Sequence, residues 1–320
     1  MSMSHIAASS VGVDPGPRRS LEAASPRHGE KLIKIILGMC ATVSVLVTTA
    51  IVVSLLVPSV NLFREVSIRE FLTGTQWAPA FANPTFGVLP IVVGTLMVVV
   101  FAMVVAVPIG LASAIYLSEY ASRRVRKLVK PVLEVLEGIP TVAFGIFAFS
   151  LLTPTFQDLL PGMSWRGPFS IGVAGITVGL LIVPLVASVS DDAMRAVPAD
   201  LRQGAYALGA SRMKVAVRVV IPAAISGIVA AFVLAVSRAI GETMVVVIVA
   251  GAGDPTLSFD PFQGAQTMTA YIAGRATGDI AAGTIVYDTI FAVGALLFIM
   301  TFAMNMLAIR LVRRFREAYE

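Results

Sequence analysis

The stretch DLRQGAYALGASRMKVAVRVVIP, residues 200–222, lies between two long apolar runs, and the interpretation of the whole chain depends on it. Its polar residues and its glycine predict two short helices. Asp200 is placed to cap the first helix, with Gln203 as the return partner of a capping box. Gly209 then ends that helix in a left-handed conformation, and Ser211 is placed to cap the second helix. A compact polar segment between apolar runs indicates a surface on which another protein docks.

The composition is that of a membrane protein with several spans. Of 320 residues, 57% are hydrophobic and 13% are charged, and the mean hydropathy is +0.87. The single cysteine, Cys40, excludes an intrachain disulfide and a cysteine-based zinc site, and we interpret it as a small buried hydrophobic residue. Both histidines, His5 and His28, belong to the polar N-terminal region, so a histidine-based catalytic or metal site in the core is not expected. The nucleotide-binding pattern G-x-x-x-x-G-K-[ST] is absent from the sequence, so this chain is not expected to hydrolyse ATP by itself.

Six apolar runs are each interpreted as a membrane crossing, which predicts an all-α integral membrane protein with six transmembrane helices. Residues 1–30, rich in Ser, Pro, Gly and Arg, predict a disordered tail. Residues 31–320 form the predicted transmembrane domain, and within it we call residues 190–222 the docking loop. A signal peptide is the alternative for the first run, but about 23 residues is too long for one. The predicted spans are residues 35–57, 88–115, 138–152, 170–189, 223–250 and 284–309.

The distribution of positive charge predicts the orientation in the membrane. Lys and Arg number 19 in the two terminal regions, the expected basic loop at residues 122–130 and the docking loop, against 4 in the three remaining loops. Loops rich in Lys and Arg stay on the cytoplasmic side. Both termini and the docking loop are therefore expected to be cytoplasmic.

Arg238 lies inside the predicted fifth span, and Glu242 follows at the i+4 position, on the same helix face. A charged arginine near the bilayer centre costs about 2.5–3.5 kcal/mol, so Arg238 is expected to face the bundle interior or a water-filled path. Its planar donors suit a tetrahedral oxyanion such as phosphate, and Glu242 is a candidate partner when no anion is present. Gly241 leaves room on that face for a solute. A buried ion pair that only fixes helix packing is the alternative.

Other polar residues near the predicted spans have simpler interpretations. Asn305, near one end of the sixth span, is expected to bond a neighbouring helix, and Asp288 is expected to be interfacial. Glu134 and Glu137 are interpreted as groups that pair with a loop or contribute to docking.

The spacing within residues 200–222 resembles the cytoplasmic EAA loop of bacterial ABC-importer permeases: E-A-A, three residues, G, nine residues, I-x-L-P. Gln203-Gly204-Ala205 stand at the E-A-A position and Gly209 at the glycine, while Val219 and Ile221-Pro222 stand at the I-x-L-P end. Three departures from the pattern matter: Gln for Glu, Gly for the first Ala, and Ile for Leu. The resemblance implies that this loop sits in a groove of a partner ATPase and passes its closure to the membrane helices. An ordinary helical hairpin between two spans is the alternative.

Three further segments extend the resemblance: PIGLASAIYLSEYA (108–121), KPVLEVLEGIPTVAFG (130–145) and SRAIGETMVVVIVAG (237–251). They are similar to permeases of the phosphate-specific transport (Pst) system, and the layout of a tail and six spans resembles the PstC type. The resemblance covers residues 35–316 and implies a type I ABC importer (MetI-like) permease fold in a bacterial inner or plasma membrane. In that family the intramembrane Arg and Glu, here Arg238 and Glu242, are associated with transport.

The same resemblance implies a set of partners. They are a second, PstA-like permease, two PstB-like ATPases that hold ATP and Mg²⁺, and a PstS-like extracytoplasmic phosphate-binding protein. Within this chain itself, no enzyme activity, cofactor, metal or nucleic-acid partner is expected, and membrane lipid is expected around it.

These observations predict the membrane-spanning permease subunit of an ATP-driven importer of inorganic phosphate. A permease for another oxyanion, sulfate or molybdate, is the nearest alternative, because an arginine selects anions and not phosphate in particular. An ion-driven secondary anion transporter working alone is less favoured, since it needs no docking loop and the sequence has no strong internal repeat. A scaffold without a solute path is disfavoured by Arg238.

Overall fold

A computed structural model describes residues 28–278 and 280–316, with side-chain burial for residues 30–278 and 280–310. The disordered tail predicted for residues 1–30 lies, except for its last three residues, outside the described residues. The described chain is predominantly helical, which confirms the predicted fold class. The helices are α1 (His28–Glu65), α2 (Ile68–Thr73), α3 (Leu89–Ile115), α4 (Arg123–Glu137), α5 (Thr141–Phe147), α6 (Thr153–Leu159), α7 (Ile171–Arg195), α8 (Ala199–Ala207), α9 (Arg212–Val215), α10 (Ile221–Ala223), α11 (Ile225–Gly241), α12 (Met244–Val249), α13 (Met268–Ala276) and α14 (Ile285–Arg316).

Three π-helical turns prolong these helices. They are Tyr116–Tyr120 after α3, Ala148–Leu152 between α5 and α6, and Ala216–Val220 between α9 and α10. Five helical segments are long and apolar enough to cross a membrane. A sixth candidate is a pair of helical segments, Arg212–Ala223 and Ile225–Gly241, bent by 72°. Length and composition thus give the described chain five spans, or up to six, and six is the number that the sequence predicts.

The predicted fifth span, residues 223–250, is not one continuous helix. Helix α11 ends at Gly241, Glu242 has an extended backbone (φ −65°, ψ 130°), and α12 begins at Met244. The prediction of a single helix was wrong because hydropathy does not register local hydrogen bonds that compete with the helix. Here the Thr243 hydroxyl donates to the Gly241 carbonyl (3.1 Å), and the Glu242 carboxylate accepts from the Val245 amide (3.3 Å).

Residues 122–130, expected to be a basic loop, instead begin helix α4. The Ser122 hydroxyl caps this helix by accepting a hydrogen bond from the Val125 amide (3.3 Å). The expectation failed because it weighed charge alone, whereas Val125, Leu128 and Val132 recur at the three- and four-residue spacing of a helix face. Helix α7 also continues to Arg195, beyond the predicted end at residue 189, so the docking loop begins within a helix.

Residues 58–87 and 251–283, predicted as loops, contain packed structure. The first segment holds the end of α1, helix α2 and a short antiparallel pair, β1 (Trp77–Ala78) and β2 (Thr85–Phe86), which is a departure from the all-helical prediction. The second holds α13, whose Tyr271 packs edge-on against Trp77 with ring centroids 5.0 Å apart. Tyr271 is buried, and its hydroxyl lies 2.6 Å from that of Thr289 in α14.

The core of the bundle is the contact between α3 and α7. A methyl group added to Gly179 would lie 2.7 Å from the carbonyl of Ala102, and one added to Gly175 would lie 3.0 Å from the carbonyl of Val98. These two glycines therefore allow the two helix backbones to approach closely. The side chains around them are apolar and buried.

The chain divides into two units between Ile51 and Val52. The described part of the first unit, which is the first section of α1, is exposed from Glu30 to Ile51. Cys40 is exposed as well, so its interpretation as a buried residue was wrong. The physical reason is that an apolar residue on a membrane-spanning helix can face lipid instead of protein.

Candidate functional site

The docking loop has the two short helices that the sequence predicts, although the cap of the first differs from the prediction. Helix α8 begins after Pro198, and Asp200 lies inside its first turn with no side-chain cap, so the capping box with Gln203 was wrong. Proline fixes a backbone angle suited to a helix start, and an acidic residue still interacts favourably with the first turn. Gly209 has φ +77°, as predicted, and the Ser211 hydroxyl accepts from the Lys214 amide (3.4 Å) and caps α9, also as predicted.

The tip of the docking loop is open to its surroundings. Gln203, Gly204 and Gly209 are exposed, while Ala205 and Pro222 are half-buried. Large apolar side chains are exposed around them, at Leu201, Tyr206, Leu208, Met213 and Val217, and Leu208 is 90% exposed. An apolar surface of this kind is typical of a contact with another protein or with a membrane.

The inner side of the docking loop is attached to the bundle by an ion pair. The Arg202 guanidinium lies 3.3 Å from the carboxylate of Glu119 and donates to the carbonyl of Met194 (2.7 Å). Glu119 belongs to the π-helical turn after α3, and its side chain is 4% exposed. Val215 and Val220, from the second half of the loop, are buried in the same region. Helix α8 is therefore tied both to the end of α3 and to the end of α7.

A second pair of ionic contacts joins α4 to the end of α7. Arg126 donates to Asp191 at 2.5 Å, and Lys130 pairs with Asp192. The Asp191 side chain is 1% exposed. Sequence reasoning did not single out Glu119, Arg202 or the two aspartates. For the two aspartates a signal was available. They are adjacent acidic residues at the end of an apolar run, and the basic segment at residues 122–130 carries the opposite charge that could pair with them.

Arg238 lies in the last turn of α11 and is half-buried. Its Nε is buried and has no hydrogen-bond partner among the described residues. Glu242 is buried but lies beyond the helix end, so the prediction of a shared helix face was wrong. Within the described chain the two residues form no ion pair. Gly241, between them, is exposed, and an added methyl group would meet nothing within 4 Å, which agrees with the predicted space for a solute.

Glu242 is held at the helix break by α13. Its carbonyl accepts a hydrogen bond from the Thr269 hydroxyl (2.8 Å), which in turn lies 3.1 Å from the hydroxyl of Thr267. Met268, which lies between these two threonines, donates its amide to the hydroxyl of Thr95 in α3 (3.0 Å). The break therefore has a fixed geometry that two other elements support.

A further hydrogen bond joins α11 to α14 near this break. The Ser237 hydroxyl, next to Arg238, donates to the Asn305 side chain of α14 (2.8 Å), which confirms that Asn305 bonds a neighbouring helix.

Near α13, a cavity of about 260 Å³ is lined by Trp77, Tyr271 and Arg275 among others. The Arg275 guanidinium lies 5.7 Å from the centre of the Tyr271 ring.

Among the described residues outside the spans, two groups have shifted pKa values. Hydrogen bonds from Ser164, then from the Phe262 amide and Gln263, lower the pKa of Asp260 below its ordinary value of 3.8. Burial raises the pKa of Tyr271 above 10.0. Neither group lies beside Arg238. The described residues contain no cluster of three or more His, Cys, Asp or Glu side chains that could hold a metal ion.

Comparison with known proteins places this geometry among transport permeases. The sequence pattern of the binding-protein-dependent transport system inner membrane component family matches residues 106–317. The chain is 33% identical over 271 residues to the probable ABC transporter permease protein YqgH of Bacillus subtilis, covering 84% of this chain and 86% of that protein. It is 34% identical over 249 residues to the phosphate transport system permease protein PstC of Mesorhizobium japonicum, covering 73% and 75%. These matches confirm the predicted resemblance to PstC-type permeases.

Solved structures support the fold assignment. A bacterial ABC transporter involved in the import of the acidic polysaccharide alginate has a TM-score of 0.56 at 16% identity, covering 89% of this chain and 99% of that chain. An inward-facing MetNI methionine ABC transporter has a TM-score of 0.50 at 20% identity, covering 72% and 94%. The type I importer permease fold predicted from the sequence is thereby confirmed.

Proposed function

The chain belongs to the family of binding-protein-dependent transport system inner membrane components, and on that premise we propose that it is the permease subunit of an ATP-driven importer of inorganic phosphate. The observation that carries the substrate class is Arg238, whose buried Nε is unpartnered within the described chain, beside an open helix break. The name of the PstC relative supports phosphate among the oxyanions.

Arg238 supplies the anion contact in this proposal. A guanidinium offers two parallel donors to one oxyanion, which an ammonium group does not. Helix α11 ends three residues later, so the anion passes at the interruption between α11 and α12. Glu242 belongs to the same path as the residue that fixes the break, through its bonds to Val245 and Thr269.

The docking loop binds the ATPase in this proposal. Gln203, Gly204, Ala205, Gly209 and Pro222 form the contact, and the exposed apolar side chains around them support it. The partners are two PstB-like ATPases holding ATP and Mg²⁺, a PstA-like second permease and a PstS-like binding protein. The chain lies in a bacterial plasma membrane with both termini and the docking loop on the cytoplasmic side, where the Lys and Arg residues concentrate.

Closure of the ATPases reaches the membrane helices through Arg202. This residue lies beside Gln203 in α8 and contacts both Glu119 and Met194. Movement of α8 therefore pulls on the end of α3 and on the end of α7 together. Because α3 and α7 form the core of the bundle, their joint movement changes the access to Arg238.

The experiment compares oxyanions in the reconstituted complex with its ATPase and binding protein. We expect phosphate to stimulate ATP hydrolysis and to enter the vesicles, and sulfate and molybdate to do neither. Stimulation by sulfate or molybdate in place of phosphate would reassign the substrate and leave the importer intact. Uptake of anion by this chain without the ATPase would instead support a secondary transporter.

A matched pair of variants tests the docking surface. A methyl group added to Gly204 or to Gly162 meets nothing within 4 Å, so the Cβ atom of a leucine at either position has room within the chain. Both variants are expected to insert normally. Gly204→Leu is expected to lose ATPase binding, whereas Gly162→Leu, in the connection between α6 and α7, keeps it. Equal ATPase binding by both variants overturns the placement of Gly204 in the contact.

A further inference from the structure

The side of helix α4 that faces the bundle is the charged side. Arg126 and Lys130 turn towards α7 and pair with Asp191 and Asp192. No residue of α4 is buried. A surface helix of a water-soluble protein packs its apolar side inwards, so α4 has the opposite orientation.

The apolar side of α4 points away from the bundle. Leu128, Val132, Val135 and Leu136 follow the i, i+4, i+7, i+8 spacing of one helix face. Leu128 is 69% exposed and Val135 is 71% exposed. Four neighbouring apolar side chains in this position are expected to contact either another protein or the membrane.

The connections of α4 fix its depth. It joins the span Leu89–Tyr120 to the span Thr141–Leu159, so it lies at one surface of the membrane. Tyr116 and Tyr120, immediately before it, are 51% and 41% exposed. Exposed tyrosines at the end of a span are typical of the headgroup level.

Positive charge lies beside this apolar row. Arg123, Arg124 and Lys127 are exposed and take part in none of the ion pairs found in the described chain. Arg123 and Lys127 also line an open depression of about 560 Å³, together with Arg195 of α7. Glu134 is the acidic residue in that lining.

We propose that α4 lies in the headgroup layer and binds anionic phospholipid. Its apolar row enters the acyl region, and Arg123, Arg124, Lys127 and Arg195 hold the phosphate groups of the lipid headgroups. A lipid supplies both an apolar phase and negative charge at the depth that the tyrosines mark. The inference requires only that the spans cross a membrane, so it does not depend on which anion is transported.

The test measures how close lipid comes to α4. Because Cys40 is the single cysteine, Cys40→Ser gives a chain in which one new cysteine can be labelled with a fluorophore. Leu128→Cys reports on α4, and Leu208→Cys, on the docking loop, is the matched exposed leucine. The labelled chain is reconstituted with its ATPase and partner permease in vesicles containing brominated phosphatidylglycerol or brominated phosphatidylcholine.

We expect both brominated lipids to quench the probe at residue 128, with phosphatidylglycerol favoured by about fivefold or more. That is the preference produced when one basic residue engages an anionic lipid. The probe at residue 208 is expected to remain unquenched by either. No quenching at residue 128 in this assembled complex overturns the proposal in favour of a protein contact.

A charge variant separates lipid from free phosphate. Arg123→Gln/Arg124→Gln/Lys127→Gln/Arg195→Gln is expected to abolish the preference for phosphatidylglycerol and to keep the quenching by phosphatidylcholine. The control, Arg64→Gln/Arg69→Gln, alters two exposed arginines away from α4 and is expected to keep the preference. If inorganic phosphate removes the preference in the unaltered protein, the basic depression is a phosphate site and the lipid assignment is wrong.

Discussion

Arg202 in the docking loop lies 3.3 Å from Glu119 at the end of α3, and the Glu119 side chain is 4% exposed. A carboxylate that is removed from water keeps its charge only when a cation or hydrogen-bond donor compensates it. Arg202 provides that compensation from the loop to which we assign ATPase docking. The pair therefore connects the stability of the bundle with the position of the loop.

Reversing the charge of Arg202 is expected to uncouple transport from ATP hydrolysis. Arg202→Glu places two carboxylates side by side, so uptake of phosphate per ATP hydrolysed should fall several-fold. Glu119→Arg/Arg202→Glu restores opposite charges and should recover part of the coupling, because the bond to the Met194 carbonyl remains lost. The measurement is uptake and ATP hydrolysis in the same vesicles. Unchanged coupling in Arg202→Glu would remove the pair from the transmission route.

Gly209→Val is expected to uncouple transport while the protein still inserts. Gly209 has φ +77°, a conformation that costs an L-residue roughly 1–2 kcal/mol and a β-branched one more. An added methyl group meets nothing within 4 Å, so the effect arises from the backbone and not from a clash. Gly209→Asn is the control, since asparagine tolerates this region. Normal uptake in Gly209→Val would argue against the docking-loop hypothesis.

Arg238→Lys is expected to reduce phosphate uptake by more than tenfold at unchanged membrane abundance. Lysine retains the charge but loses the planar pair of donors that can hold two oxygens of one anion, a difference worth about 1.5–3 kcal/mol for a charged hydrogen bond. Uptake is measured together with assembly, so that loss of the complex is not mistaken for loss of the path. If Arg238→Ala assembles and imports phosphate at the unaltered rate, Arg238 neither contacts the anion nor is needed for packing.

Glu242→Gln is expected to preserve the helix break and Glu242→Ala to disturb it. The Glu242 side chain accepts from the Val245 amide, and a glutamine oxygen can take over that bond, whereas alanine leaves the amide without this acceptor. Membrane abundance should therefore fall in Glu242→Ala only. Phosphate uptake corrected for abundance then reports whether the charge itself matters. Equal abundance of the two variants would contradict a positioning role for the side chain.

The orientation is tested with two reporters. One fused after Glu320 is expected to be active on the cytoplasmic side and one inserted near Ser258 on the opposite side, because the Lys and Arg residues concentrate at the termini and in the docking loop. A periplasm-active and a cytoplasm-active enzyme at each position give the readout. Reporters that both work on the same side would show that the number of spans between residues 258 and 320 is even.

The sequence by itself determined the class of fold and the two short helices within residues 200–222. Long apolar runs can only cross a membrane as helices, because every backbone polar group must be paired within the segment. The left-handed Gly209 and the cap at Ser211 were also predictable, since both depend on residues that are neighbours in the chain. Arg238 was identifiable for the same reason, as a charge within an apolar run.

The tertiary structure decided how these parts connect. Hydropathy treated residues 223–250 as one helix, whereas local hydrogen bonds interrupt it at Glu242 and the bond from Thr269 of α13 holds the break in place. The charges of α4 predicted a solvated loop, whereas two of them, Arg126 and Lys130, pair with Asp191 and Asp192 of α7. Glu119 and Arg202 are far apart in the sequence and meet only because α3, α7 and α8 pack together. Local patterns determine where helices form, but the partner of a charged side chain depends on which distant segment folding brings within reach.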